Sequence, residues 1–360
     1  MTFPRSLFAG LVLSATLSAC VAPGVGNEDV AETMSNLSAT SWTGMYPVDT
    51  IGHPPHMASL NGTTYYVFTG DGGALPGVSN DLYWRKRTGN TWSDPQAIPG
   101  QQTMDRVNLA AFNGYIYMVH DGDSDGAAVW FSRFDPATEQ WSTNIKLPFT
   151  TFGGPPALAA FNNQLYLVGT RQAVVYRQGV AVTTYPMWFA TMTTAEVFST
   201  AQAMGQFSAS RPSAAAFAGK LYVAHRNQAT AEIVVSSLTP GATWSAPAYI
   251  LAGPAGAMIR GDDVQIAATN GFLHLVHRTF DSNLTYWTYF DQCNWVPEVT
   301  IDAFSAGYAL SMNTSPEGLA LARVVDTGLW PYTDNHWYES RFIAPPPPIT
   351  VPRCLLVIGG

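Results

Sequence analysis

The chain has 360 residues, enough for one large domain or two ordinary ones. Charged residues make up 12% of it and aromatic residues another 12%, and the formal net charge is −8. This composition excludes a disordered chain, which would be poor in aromatic residues, and it argues against a helical bundle. The 31 glycines and 25 prolines favour many short strands joined by turns. The sequence has no block of basic residues that would hold a phosphate backbone, so we expect no nucleic-acid partner.

The first twenty residues have the pattern of a bacterial export signal. Arg5 precedes an apolar run, residues 7–17, that is too short to span a bilayer as a helix. Residues 17–20 read LSAC and resemble a lipobox, which implies cleavage before Cys20 and lipidation of its thiol. An ordinary secretory signal followed by a chance cysteine is the alternative. A lipidated Cys20 would anchor the chain in the bacterial cell envelope. By analogy with other bacterial lipoproteins, Val21 after it permits the outer membrane or cell surface, where we expect the chain to lie.

The chain is predicted to consist of four segments. They are a lipoprotein signal peptide (1–19), a flexible polar tether (20–40), a folded body (41–344), and a Pro-rich linker with a C-terminal tail (345–360). Besides Cys20 the chain has Cys293 and Cys354, and export makes a disulfide between them chemically possible. Two unpaired thiols are the alternative.

The body is a repeat of about 50 residues. Each of five units has a small-apolar segment ending in a tight turn, mostly Asn-Gly, which favours a type I′ hairpin. A strand with period-two alternation follows each turn, and a third and a fourth strand carry aromatic residues. The segments that end in the turn are 57–62, 109–114, 158–163, 214–219 and 266–271.

Four antiparallel strands per unit predict an all-β fold, a β-propeller of four-stranded blades. A sixth, degenerate unit covers residues 306–343, so six blades are favoured and seven are the alternative. Trp42 repeats the fourth-strand pattern ahead of the first unit. Residues around it would either close the ring or provide the last strand of a seventh blade.

Polar side chains recur where the second strands end, beside the most variable loops. Loops on a rigid scaffold are the usual place for binding. Arginine and histidine here would donate hydrogen bonds to hydroxyl groups, and tryptophan on the third strand would stack on a sugar ring. The alternative is structural, with polar groups bonded to loop carbonyls and indoles packed between blades, as predicted for the fourth-strand tryptophans. The candidate sugar-binding residues are Arg171, Arg226, Arg278, His120, His225, His277, Trp84, Trp130, Trp188 and Trp287.

One variable loop contains the pattern DxDxDG, which opens many calcium loops. Asp121, Asp123 and Asp125 occupy alternate positions and would converge on one hard cation. The closing acidic residue of such a loop is missing, and a solvated turn explains the pattern equally well. No cofactor is required by the sequence, and calcium is the one metal that it suggests.

Enzyme motifs such as GxSxG, HExxH, the P-loop and the dinucleotide glycine pattern are absent from the sequence. We therefore assign no catalytic residue and favour a protein that is not an enzyme. Asp105, Asp262 and Asp263 lie at inter-blade links, where carboxylates for glycoside hydrolysis would have to meet across the axis.

The repeat resembles that of the bacterial β-propeller lectins of the Photorhabdus type and the six-bladed fungal fucose lectins of the Aleuria type. Residues 129–134 (VWFSRF), 154–168 (GPPALAAFNNQLYLV) and 211–226 (RPSAAAFAGKLYVAHR) carry the resemblance best. The resemblance implies several weak, repeated glycan sites, often for fucose or related sugars.

The leading hypothesis is a surface-tethered, lectin-like protein with glycans as its partners and a membrane contact through the lipid anchor only. The repeated sites would lie on the variable-loop face. A glycoside hydrolase or sialidase-like enzyme on the same scaffold is one alternative. A scaffold that binds another protein of the cell envelope is the other.

Overall fold

The structure is a computed structural model that describes residues 42–47, 55–70, 80–103, 105–122, 127–253, 256–279, 284–305, 310–315, 318–324 and 337–342. All 28 elements within these ranges are β-strands. In the same ranges, no helix is long and apolar enough to cross a membrane.

The strands form six antiparallel sheets of four or five strands and one separate hairpin. Strand β1 (Trp42–Pro47) begins the described chain. The first sheet holds β2 (His56–Leu60), β3 (Thr63–Thr69), β4 (Asp81–Thr88), β5 (Thr91–Trp92) and β6 (Gln96–Gln102). The second holds β7 (Val107–Phe112), β8 (Tyr115–Asp121), β9 (Ala128–Asp135), β10 (Gln140–Trp141) and β11 (Ile145–Thr150).

The third sheet is interrupted by the hairpin. It holds β12 (Ala157–Phe161), β13 (Gln164–Thr170), β16 (Pro186–Thr193) and β17 (Gln202–Phe207), and the hairpin of β14 (Ala173–Arg177) and β15 (Val180–Thr184) lies between β13 and β16 in sequence. The fourth sheet holds β18 (Ser213–Phe217), β19 (Lys220–Arg226), β20 (Ile233–Leu238) and β21 (Ala248–Tyr249). The fifth holds β22 (Asp262–Thr269), β23 (Phe272–Arg278), β24 (Leu284–Phe290) and β25 (Val299–Ser305).

The sixth sheet joins the two ends of the described chain. It combines β26 (Ser311–Ser315), β27 (Gly318–Val324) and β28 (Trp337–Phe342) with β1, which pairs antiparallel with β28. The first strands of the six sheets contact each other in the order β2, β7, β12, β18, β22 and β26, and β26 returns to β2. The sheets therefore surround one axis as the blades of a propeller, as predicted, and the ring closes through β1.

The tight turns have the predicted backbone conformation. Both central residues have positive φ in all five units, which is the type I′ geometry that matches the twist of the flanking strands. The φ values are 51° and 78° at Asn61 and Gly62, 48° and 81° at Asn113 and Gly114, 49° and 56° at Asn162 and Asn163, 46° and 74° at Ala218 and Gly219, and 51° and 81° at Asn270 and Gly271.

The hydrophobic core lies between neighbouring blades rather than within each one. One cluster joins Tyr117 and Phe131 of the second blade to Leu165 and Leu167 of the third. Further clusters join the first blade to the second, the third to the fourth, and the fourth to the fifth. Because a single sheet cannot bury its faces alone, each blade depends on its neighbours for stability.

Several sequence predictions concern residues outside the described ranges. They include the signal peptide (1–19), the tether (20–40), the lipidation site Cys20, the tail (345–360) and the carboxylates of Asp123 and Asp125. Cys293 is disulfide-bonded. Its proposed partner, Cys354, also lies outside the described residues, so the pairing itself stays a prediction.

Candidate functional site

The four third-strand tryptophans that the structure describes occupy two register positions that differ by one residue. Two pair with the fifth residue of the preceding strand, and the other two pair with the sixth. Since side chains alternate across a strand, this offset turns the two pairs of indoles to opposite faces of their sheets. The cross-strand pairs are Trp84 with Val67, Trp287 with Val276, Trp130 with His120, and Trp188 with Gly169.

Three of these indoles are buried and pack against other rings, which corrects the expectation that they stack on sugars. Trp84, Trp188 and Trp287 are 2%, 4% and 1% exposed. Trp84 packs against Phe134 and Trp188 against Phe149, and Trp287 stacks on His274. A ring covered in this way has no face left for a ligand, so their roles are structural. Four of the fourth-strand tryptophans likewise pack on neighbouring rings, as predicted, namely Trp92, Trp141, Trp244 and Trp295.

The packing of Trp188 leads to a stability prediction for Gly169. A Cβ atom at Gly169 would lie 2.7 Å from Cζ2 of Trp188, whose indole is buried against Phe149. Replacing strand glycine by alanine is usually neutral or favourable, but here we expect Gly169→Ala to destabilise the fold by about 1–3 kcal/mol. Urea unfolding measures this loss. The double variant Gly169→Ala/Trp188→Phe should recover part of it, and strictly additive effects would contradict the packing argument.

Trp130 is the exception among the four, because its indole is only half-buried. Phe149, on β11 of the second blade, covers Trp188 of the third. The matching position on β6 of the first blade is Gln101. In the second blade, Phe149 precedes Thr150, which pairs with the first residue of β9. In the first blade, Gln101 precedes Gln102, which pairs with the first residue of β4. A polar side chain therefore replaces the aromatic cover, and Trp130 borders an open space.

That space is a cleft of about 560 Å³ between the first and second blades, which we call the inter-blade cleft. Its size lies within the range of small-molecule sites, ~300–1,000 Å³. Buried Gln101 and His120 lie beside the half-buried indoles of Trp130 and Trp141. The lining residues are Pro99, Gly100, Gln101, Gln102, His120, Gly122, Trp130, Gln140, Trp141, Ser142, Thr143 and Asn144.

Hydrogen bonds fix the polar groups of the inter-blade cleft. Nδ1 of His120 donates to the carbonyl of Asp121 (2.8 Å), and Nδ2 of Asn144 donates to Nε2 of His120 (3.0 Å). Burial lowers the pKa of His120, which keeps the ring neutral and leaves Nε2 as an acceptor. Oδ1 of Asn144 and Nε1 of Trp130 are buried without a hydrogen-bond partner among the described residues. A hydroxyl group can satisfy both an acceptor and a donor of this kind.

The other two candidate histidines are held in the protein interior. Nε2 of His225 lies 3.0 Å from Oε1 of Gln206, and Nε2 of His277 lies 2.8 Å from Oε2 of Glu298. Burial lowers the pKa of His225 to about 4. Unlike His120, neither ring lines a described cavity, so they connect strands rather than contact a ligand, which corrects the sequence expectation.

The candidate arginines have different surroundings. Arg226 donates to the carbonyl of Ala209 (3.3 Å) and its Nη1 lies 3.7 Å from Oδ2 of Asp262. Arg278 lines a cavity at one end of the propeller axis, whereas the side chain of Arg171 is exposed and lines none of the described cavities. The three arginines therefore do not form one sugar site.

The aspartates that a hydrolase would need do approach the axis, but arginines hold them. Asp263 pairs with Arg106 across 2.7 Å, and Asp105 pairs with Arg211. Asp121 is buried and accepts a hydrogen bond from Thr103, and burial raises its pKa to about 6. Its carboxyl group lines neither the inter-blade cleft nor the cavity that Arg278 lines.

No group of three or more His, Cys, Asp and Glu side chains suited to a metal ion is found in the part of the chain that the structure describes. Because Asp123 and Asp125 lie outside that part, the calcium site stays a prediction.

Sequence reasoning missed Gln101, Asn144, Arg106 and Arg211. The signals were weak ones. Gln101 is polar at the position that Phe149 holds in the second blade, and Arg106 and Arg211 lie in the links just before the first strands of two blades.

Comparisons with known proteins support the fold alone. No protein-family model and no curated protein matches the chain. A solved structure of a protein of unknown function from Dyadobacter fermentans is similar, with a TM-score of 0.55 and 12% sequence identity. The match covers 82% of this chain and 98% of that one.

Proposed function

We propose that this protein binds carbohydrate at the inter-blade cleft, without chemical transformation of the ligand. The half-buried indole of Trp130 carries the proposal. Among the third-strand tryptophans whose burial the structure describes, it is the one whose ring is not covered by another side chain. A flat aromatic face beside fixed amide and imidazole groups suits a sugar, whose ring has an apolar face and a rim of hydroxyls.

The polar groups around Trp130 support recognition of hydroxyls rather than charged groups. His120 is neutral, and Gln101 and Asn144 are uncharged amides, so no ionised side chain lines the inter-blade cleft. Gln101 is itself positioned, because it accepts a hydrogen bond from Ser132 (3.0 Å) and donates one to the carbonyl of Ser142 (3.2 Å). Such preorganised groups lose little conformational entropy on binding.

The proposal departs from the expectation of repeated sites on the variable-loop face. The corresponding space between the second and third blades is filled by Phe149 and Trp188, so these two blades form no matching sugar site.

We further propose that lipidated Cys20 tethers the propeller in the bacterial envelope. Anchoring at high local density would compensate for weak single sites through multivalency.

The test is glycan-array binding of the purified propeller, followed by calorimetric titration of the best array glycan. We expect Trp130→Ala to weaken binding at least about tenfold, because it removes the stacking face. Trp188→Phe is the matched control, since it changes the equivalent strand position but lies under Phe149, and it should leave affinity unchanged. Absence of binding to every glycan, or full affinity in Trp130→Ala, would refute the proposal.

The two alternatives have less support. A hydrolase needs a carboxylic acid facing the substrate. Asp121, the described aspartate with a raised pKa, lines neither the inter-blade cleft nor the cavity beside Arg278.

A scaffold for an envelope protein would use an exposed apolar surface, and the hairpin of β14 and β15 has such a surface. Val174, Tyr176 and Val180 are exposed there. Pull-down from envelope extracts with and without the hairpin residues changed to serine would test it.

A further inference from the structure

A second cavity, the axial cavity, lies where the links between blades meet the propeller axis and is separate from the inter-blade cleft. Its volume is about 290 Å³. None of its lining residues belongs to the inter-blade cleft. The charged side chains that line it are Arg106, Arg211, Arg278, Asp262 and Asp263.

The guanidinium group of Arg211 is held rigidly at this cavity. Its Nε donates to the carbonyl of Gly153, and its Nη2 donates to the carboxylate of Asp105. Gly154 has no side chain, and any Cβ there would overlap the guanidinium. The remaining nitrogen, Nη1, is buried and has no hydrogen-bond partner among the described residues. Arg211 therefore has donor capacity left after its structural contacts are made.

A second guanidinium group is buried nearby. The side chain of Arg106 is 7% exposed, and its Nη1 bonds to Asp263 and to the carbonyl of Leu310. Its Nε has no partner among the described residues. Burial, with the charge of Arg106 next, lowers the pKa of Arg211, and the carboxylates of Asp105, Asp263 and Asp121 act in the opposite direction.

We propose that the axial cavity binds a small molecule through a single carboxylate group. Nη1 of Arg211 and Nε of Arg106 are buried donors without a partner among the described residues, and the two oxygens of one carboxylate can accept from both. Asp262 and Asp263 would repel a second negative charge, which disfavours a phosphate dianion. The exposed ring of Phe152, stacked on Tyr185 at 4.5 Å, adds an apolar wall for the rest of the ligand.

The size of the axial cavity limits the ligand to a small one. A volume of about 290 Å³ is at the lower end of the range of small-molecule sites. Glucuronate is a suitable probe, because glucose is its neutral counterpart of the same shape. The two differ chiefly by the carboxylate that the proposal requires.

The experiment is a calorimetric titration of the full chain with glucuronate, glucose and inorganic phosphate. We expect glucuronate to bind more tightly than the other two, and its binding to weaken as salt is added. Arg211→Gln should lower its affinity at least about tenfold. Arg177→Gln removes the same charge from the exposed hairpin, outside the cavity, and should change nothing.

Several results would overturn the proposal. They are equal affinity for glucose and glucuronate, tighter binding of phosphate, no glucuronate binding, or unchanged affinity in a folded Arg211→Gln. Arg211→Lys, which keeps the charge next to Asp105 but not the planar group, provides a second variant should the first fail to fold. Loss of glucuronate binding in Trp130→Ala would assign the binding to the inter-blade cleft instead. The axial site stands even if no neutral glycan binds the inter-blade cleft, so the two proposals fail independently.

Discussion

Lowering the pH from 7 to 5 should reduce the free energy of unfolding by about 5 kcal/mol, because three histidines are buried in their neutral form. Burial lowers the pKa of His56 to about 3, that of His274 to about 3, and that of His225 to about 4. In the unfolded chain each would titrate near 6.5. Below pH 6.5 the unfolded state therefore binds protons that the folded state does not.

The magnitude follows from these pKa differences. At pH 5 each ring contributes about 2 kcal/mol of destabilisation, and burial of His120 acts in the same direction. Asp121 acts oppositely. Because its pKa is raised to about 6, the folded state takes up a proton at a higher pH than the unfolded state does. This uptake adds about 1 kcal/mol to the free energy of unfolding at pH 5. Since whole domains are stable by only ~5–15 kcal/mol, the net loss brings the protein close to unfolding.

Besides burial, two of these rings have a hydrogen bond that their protonation would break. Nδ1 of His56 accepts from the backbone N–H of Leu109 (3.2 Å), and Nδ1 of His274 accepts from the indole N–H of Trp287 (3.2 Å). A proton on either Nδ1 would remove the acceptor and place a charge in the core.

Urea unfolding at pH 5, 6, 7 and 8 measures the effect. His274→Gln keeps an acceptor for Trp287 but cannot titrate, so it should reduce the loss between pH 7 and pH 5 by about 2 kcal/mol. Nuclear magnetic resonance titration of the histidine rings in the wild type gives a check that needs no variant. A flat stability profile, or ring pKa values near 6.5, would contradict the prediction.

Replacing Arg106 with methionine should destabilise the propeller by about 3–5 kcal/mol, because it leaves the buried carboxylate of Asp263 unpaired. Arg106 lies just before β7 of the second blade, whereas Asp263 lies on β22 of the fifth. Both side chains are 7% exposed. Oδ2 of Asp263 also accepts from the backbone N–H of Leu310, which precedes the sixth blade. One buried ion pair thus connects three blades across the axis.

A double-mutant cycle separates the ion pair from simple loss of packing. Asp263 has φ of 51°, a conformation that asparagine also tolerates, and an amide oxygen can still accept from Leu310. Arg106→Met/Asp263→Asn should therefore be more stable than Arg106→Met alone, since no unpaired charge remains. Denaturant unfolding of the four proteins measures the coupling. A double variant less stable than Arg106→Met would count against the argument.

The candidate site was predictable only in part. Trp130 and His120 were among the sequence candidates and do line the inter-blade cleft. Trp84, Trp188 and Trp287 shared the same strand pattern but are buried. Sequence could not separate the open indole from the buried ones. Their burial depends on a one-residue difference in strand register and on which side chain of the preceding blade faces the indole.

The pairing of charges was also beyond sequence reasoning. Asp105, Asp262 and Asp263 were expected at inter-blade links. Asp105 lies in such a link, whereas Asp262 and Asp263 begin β22 and line the axial cavity. Their partners could not be read from local spacing. Arg211 lies 106 residues from Asp105, and the carbonyl that Arg106 contacts lies 204 residues further along the chain.

The sequence by itself determined the repeat, the strands, the type I′ turns and hence the propeller. Each of these depends on local preferences, namely period-two alternation and the tolerance of Asn and Gly for positive φ. Only the tertiary structure decided which indole is open and which charges meet. Those outcomes depend on contacts between blades, where Gln101 replaces Phe149 beside a tryptophan and where links from distant units converge on one axis.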